Sequence, residues 1–169
     1  VYDGADVNFL DDYDNLYPWQ KFLSRELFTA DGSNFTVPSD RKIYWICDKT
    51  GNSGKSKFVK YNVINRRNVV KIPFGSAVNM RAACIGAGAQ QLYFVDVPRT
   101  MGVDDKIQDV ISVLEDLKGG FLVSSAYCKM SQLIMAPPHI VVFSNAECPV
   151  SSMSSDRWLS YTIHSSTKK

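Results

Sequence analysis

Five short apolar runs constrain this chain most: Ile43 to Cys47, Val69 to Phe74, Leu92 to Val97, Ile140 to Ser144 and Trp158 to Ile163. They alternate with longer segments, as strand and helix units do. Several are too apolar to have a wet face, which suits a parallel sheet covered on both sides. Helices are expected over 55–65, 76–86 and 105–117, the last with Ile107, Val110, Ile111 and Leu114 on one face. Between Gly119-Gly120 and Pro137-Pro138, the segment from Phe121 to Ala136 reads as a β-hairpin. The expected class is α/β.

Ahead of these runs, Trp19, Phe22, Leu23, Leu27 and Phe28 recur at helical spacing, and Pro18 suits a first helical turn. Residues 29–40, rich in Ser, Asp, Gly and Pro, read as a linker. Residues 1–16 carry five aspartates and no base, the pattern of an extended acidic lead-in. The chain thus divides into residues 1–40 and residues 41–169.

With 169 residues, 45% hydrophobic and 21% charged, the chain can bury one core, which excludes a mainly disordered protein. No stretch approaches the roughly 18 apolar residues of a membrane-spanning helix, and no basic-then-apolar signal opens the chain, so a soluble protein is expected. A start at Val1 suggests a fragment of a longer polypeptide. The cysteines Cys47, Cys84, Cys128 and Cys148 make no Cys-x-x-Cys pair, so neither a zinc knuckle nor a disulfide scaffold is suggested, and a reducing compartment fits better. Charge is divided unevenly. Residues 1–40 hold eight acids and two bases, a net of −6, while the rest carries +8. A basic body is compatible with nucleic acid or phosphate ligands, although a lysine-rich face is more often just a solvated surface.

The most informative string is Asp48-Lys49-Thr50-Gly51-Asn52-Ser53-Gly54-Lys55-Ser56, directly after one apolar run and directly before a helix. It reads as a phosphate-binding loop that holds a nucleotide with Mg2+. Glycines let backbone N–H groups wrap phosphates, the helix N-terminus adds positive potential, Lys55 reaches the outer phosphate oxygens and Ser56 takes the magnesium ion. Lys49 stands where the usual pattern has its first glycine. A nucleotide loop calls for an acid at the end of a second buried strand, and Asp96 supplies it; otherwise Asp96 is a strand-terminal cap. Asn145 ends a third strand, where its amide serves either a γ-phosphate or an attacking water, or simply a turn. Arg157 precedes the last strand as either an ion-pair partner or an arginine finger.

Pro18-Trp19-Gln20, the run from Arg41 to Trp45 leading into Gly51-Asn52-Ser53-Gly54-Lys55-Ser56, the segment Phe94 to Arg99, Pro138 to Asn145 and Asp156-Arg157-Trp158 follow one another in an order that resembles replication initiator (Rep) proteins of circular single-stranded DNA viruses and related plasmids. The resemblance is to their superfamily 3 helicase domain and covers roughly residues 17–163. It implies an AAA+-like P-loop NTPase with a five-stranded, mainly parallel sheet flanked by helices, preceded by a short helical oligomerisation segment, Tyr17 to Phe28. It further implies ATP as the nucleotide and a hexameric ring that pulls single-stranded DNA through its centre in rolling-circle replication, in the host nucleus if the virus infects a eukaryote. In these terms Gly51, Asn52, Ser53, Gly54, Lys55 and Ser56 are Walker A, Asp96 is Walker B, Asn145 is motif C and Arg157 completes a neighbour's site. The hairpin faces the pore and offers Tyr127 and Lys129 to DNA.

Three departures stand out. Val97 occupies the place of a second Walker B acid, so hydrolysis is slow or uses another base. Ala126 replaces the lysine that usually precedes the hairpin tyrosine, which leaves Lys129 as the substitute. The only histidines, His139 and His164, cannot form a His-hydrophobic-His pair, so the nicking endonuclease domain expected upstream is not in this chain. Two other readings stay open: a nucleotide-binding oligomerisation module with little hydrolysis, and a P-loop kinase of a small molecule.

Overall fold

The five apolar runs become the strands of one parallel sheet. A computed structural model describes residues 16–51, 53–98, 104–151 and 154–164. In chain order its elements are α1 (Pro18–Leu27), β1 (Ile43–Asp48), α2 (Lys55–Asn65), β2 (Val69–Ile72), α3 (Ala77–Ala87), β3 (Leu92–Val97), α4 (Asp104–Gly119), β4 (Phe121–Ser124), β5 (Ser131–Ile134), β6 (His139–Ser144) and β7 (Trp158–Ile163).

Five strands pair in the order β2-β3-β6-β1-β7, every neighbour parallel. From β1 the chain crosses to the far edge, returns through β3 to β6 beside β1, and then passes over β1 to β7. The C-terminal ends of β1, β6 and β3 therefore lie side by side where the strand order reverses, the end at which open α/β sheets bind ligands.

Both faces of the sheet are covered. On one, Trp45, Cys47, Tyr93, Val95, Val97 and Val142 pack under Met80 and Cys84 of α3 and Val110, Ile111, Leu114 and Leu117 of α4. On the other, Tyr44, Ile46, Phe94, Val141 and Phe143 pack under Trp19, Leu23 and Leu27 of α1 and Phe58 and Val59 of α2. Trp19 lies 5.2 Å from Phe58 and 5.6 Å from Phe143 between ring centroids. Every residue of β1 and β6 is buried, which is why those runs show no period of two. The helix before the runs thus shares a core with the sheet.

The expected elements appear with small shifts. The second run stops at Ile72, ahead of Pro73, which has no N–H to offer a ladder. Ser76 caps α3 by accepting from the Asn79 N–H. Residues 29–40 are tied down: Phe28 bridges to Phe35, and the Thr36 hydroxyl donates to the Glu26 carbonyl at 2.6 Å. Short polar residues here bond back to the end of α1, which a composition count does not register. Apart from Leu16, the acidic lead-in lies outside the described residues.

The hairpin forms as expected, with Phe121 opposite Ile134 and Ser124 opposite Ser131. Leu122 is fully buried against the α3–α4 side, whereas Phe121 and Ile134 face outward. Its tip contains a 3-10 turn, Ala126–Cys128. No described helix is long and apolar enough to cross a membrane.

Candidate functional site

The β1–α2 loop is organised by the residue that ends β1. Asp48 is completely buried, and its Oδ1 accepts from the backbone N–H groups of Thr50 (3.1 Å) and Gly51 (3.0 Å) and from the Thr50 hydroxyl (3.0 Å). Its Oδ2 accepts from the Ser53 hydroxyl at 2.6 Å and pairs with the Lys55 ammonium at 3.3 Å. Burial by itself would raise the Asp48 pKa, but the bonds from Ser53, Gly51 and Thr50 and the charge of Lys55 outweigh it and hold the carboxyl at about 2. The loop is thus wound around a carboxylate that stays ionised at neutral pH.

Helix α1 braces the loop from outside. The Trp19 indole donates to the Ser53 carbonyl at 2.9 Å, and the Gln20 amide donates to the Gly54 carbonyl at 3.3 Å. Gln20 also accepts from the Tyr17 N–H at 3.0 Å, so one buried amide closes the first turn of α1 and touches the loop. Gly54 caps α2 at φ 83°, and a Cβ there would stand 2.9 Å from Gln20 Nε2 and 3.0 Å from the Tyr17 ring. Conformation and close approach both require glycine at 54. Lys55 and Ser56 then open α2 at the C-terminal end of β1.

Across from the loop, β3 and β6 bring Asp96 and Asn145. Asp96 is in register with Phe143 and Val97 with Ser144, so Asn145 follows immediately beyond the pair. Asn145 donates from Nδ2 to the Asp48 carbonyl at 2.9 Å. Asp96 pairs with Lys71 of β2 at 2.9 Å. These walls enclose a cavity of about 520 Å³ lined by Lys55, Ser56, Lys71, Asp96, Asn145 and Phe143, among others.

Its donors suit a hard divalent cation beside a polyphosphate. The Ser56 hydroxyl and the Asp96 carboxylate are oxygen ligands on one cavity, and among the described residues no group of three or more His, Cys, Asp or Glu gathers. Magnesium typically takes one or two carboxylates and fills its remaining positions with water and phosphate oxygens. Lys55 and the α2 N-terminus supply positive potential on the same side.

Of the residues expected at the site, Gly51, Ser53, Gly54, Lys55, Ser56, Asp96 and Asn145 come together; Asn52 lies outside the described residues, as does Arg99. Val97 is 3% exposed and packs into the α3–α4 core, so the residue after Asp96 supplies no second carboxylate. Arg157 does not join its own chain's cavity. It precedes Trp158, which pairs with Ile43 at the start of β1, whereas the loop begins at the other end, beside Ile163. Roughly 16 Å of strand separates the two ends. Its neighbour Asp156 pairs with Arg41 at 2.9 Å. Tyr127 and Lys129 are exposed at the hairpin tip and do not line the cavity, with Tyr127 at positive φ.

Sequence reasoning did not assign Asp48, Lys71 or the bracing contacts of Trp19 and Gln20. Asp48 could have been suspected as a charge ending an otherwise apolar run. Lys71 carried no such signal, because its partner is set by the β2–β3 register. No protein-family model and no curated protein sequence matches the chain.

Proposed function

We propose that this chain is the motor domain of an ATP-dependent ring helicase acting on single-stranded DNA in rolling-circle replication. The observation that carries this reading is the convergence of Lys55, Ser56, Asp96 and Asn145 on one cavity at the reversal point of the sheet. In this role Lys55 and the N–H groups at the start of α2 bind the phosphates, while those of Thr50 and Gly51 stay on Asp48. Ser56 and Asp96 hold magnesium, which when bound screens phosphate charge and orients the terminal phosphoryl group. Asn145, anchored through Nδ2 to the Asp48 carbonyl, presents its amide to the terminal phosphate or the attacking water.

Arg157, distant from its own cavity, would serve a neighbouring subunit's site. Tyr127 and Lys129 are exposed, as contacts to DNA require. The decisive experiment measures ATP turnover with and without single-stranded DNA, alongside particle mass with and without ATP and magnesium. Stimulated turnover and a hexamer are expected. A monomer that phosphorylates a small molecule would overturn the reading. Mixing Arg157→Ala protomers with wild type should depress activity more than in proportion, whereas linear dilution would make the arginine structural.

Val97 favours one alternative, a nucleotide-binding assembly module with little hydrolysis, because the residue after Asp96 lies in the core and offers no general base. Nucleotide-dependent assembly without turnover would identify it.

A further inference from the structure

Two lysines line the cavity, and each is held by a carboxylate: Lys55 by Asp48 and Lys71 by Asp96. The two pairs differ in kind. Asp48 is buried and keeps its bonds from Thr50, Gly51 and Ser53 whether or not Lys55 stays. Asp96 and Lys71 are both about half exposed, at 49% and 50% of their side chains, so exchanging that pair for another ion costs little.

Their meeting is a product of register. Lys71 is aligned with Phe94, and side chains two apart on a strand share a face, so Lys71, Phe94 and Asp96 project from the same side of the sheet. Lys71 then reaches forward to Asp96 at the rim of the cavity. Val97 points to the opposite face, and among the described residues Asp96 is the one acid in an ion pair with Lys71.

Given the nucleotide reading above, on which this rests, the geometry points to Lys71 as a second phosphate-binding cation, held on Asp96 until a divalent metal takes its place. The metal carries twice the charge of the ammonium on a smaller ion and displaces it from the carboxylate. Lys71, on a flexible four-carbon stem, stays at the cavity wall and turns to the outermost phosphate. The exchange makes metal arrival and recognition of a triphosphate one event, and no bond is made or broken in it.

The test uses Lys71→Met, which keeps length and removes charge, and Lys71→Arg, which keeps charge. Binding of ADP and of a non-hydrolysable ATP analogue is measured by calorimetry across a magnesium titration. In Lys71→Met, the magnesium concentration that half-saturates ADP binding should fall several-fold, since its competitor is gone. The preference for the triphosphate over ADP should fall roughly tenfold, the scale of one charge-assisted hydrogen bond. Lys71→Arg should retain the preference. Asp96→Asn frees Lys71 without metal, and should bind the triphosphate more tightly than wild type in the presence of a chelator. Wild type that binds magnesium and nucleotide together while Lys71→Met is indistinguishable from it, or changes only in its metal dependence, overturns the role of Lys71 alone. Wild type that binds no nucleotide overturns the nucleotide reading and this role with it.

Discussion

Asn145 donates its side-chain amide to the main-chain carbonyl of Asp48 at 2.9 Å, so the tip of β6 is tied to the residue on which the neighbouring loop is wound. A displacement of that loop is thereby passed directly to the tip of β6, at the centre of the sheet.

Lys55→Ala is expected to reduce ATP turnover by on the order of 10²–10³, the usual cost of removing a group that stabilises developing charge. Asp96→Asn should lose magnesium-dependent turnover with its thermal unfolding unchanged, because Asp96 is half exposed and takes no part in the core. Steady-state kinetics across a magnesium series distinguish these outcomes from a cap role, in which the dependence would stay as in wild type.

Asp48→Asn should unfold at lower temperature and bind nucleotide more weakly, since its amide turns a donor toward the Ser53 hydroxyl and the Lys55 ammonium. Asp48→Ala should be worse, with loop donors left unpaired. The folded pKa of about 2 lies below the ordinary 3.8, so the stabilisation from this carboxylate is complete above pH 3.8 and disappears as the pH falls through 2. Acid titration of wild type and Asp48→Asn should therefore converge in that window. Parallel curves would mean that the loop does not depend on this charge.

Trp19→Ala should destabilise the fold by about 3–5 kcal/mol, as truncation of a large buried aromatic does. Trp19→Phe isolates the bond to the Ser53 carbonyl. It should cost about 1 kcal/mol in urea denaturation and weaken nucleotide binding several-fold, because the loop loses its outer brace. Full affinity in Trp19→Phe would confine the tryptophan to the core.

Lys118 is 1% exposed at the end of α4 and donates to the Pro138 carbonyl at 2.6 Å. Burial pushes its pKa down to about 8, against a smaller opposing pull from Asp40. Between pH 8 and 10.5 the unfolded chain binds more protons here than the folded one, so stability should rise with pH across that interval. Lys118→Met should remove this rise and be more stable than wild type at pH 7. A wild-type curve that falls or stays flat over the interval relative to the mutant would refute the assignment.

Lys129→Ala should weaken single-stranded DNA binding and reduce its salt dependence, with basal ATP turnover intact, because Lys129 does not line the cavity. Tyr127→Ala should lower affinity with the salt slope preserved, as loss of a stacking contact would. Unchanged affinity in both variants at low and physiological salt would remove the hairpin from the DNA path.

What the sequence by itself determined is local. Five apolar runs named the strands, and in the central β1 and β6, covered on both faces, burial leaves no room for polar alternates. The Gly51–Ser56 string named its loop, since glycines between an apolar run and a helix start supply the turn that a phosphate loop needs. The positions of Asp96 and Asn145 at strand ends followed from the same runs. The tertiary structure decided what lies across from what. The order β2-β3-β6-β1-β7 brings three distant strand ends onto one cavity and sends Arg157 to the opposite end, and neither follows from spacing along the chain. Lys71 meets Asp96 through register, and Trp19 meets Ser53 through the packing of α1 on the sheet. The physical reason is common to both: burial pattern and turn chemistry are properties of neighbouring residues, whereas ion pairs and braces between remote segments exist only after the chain has closed its core.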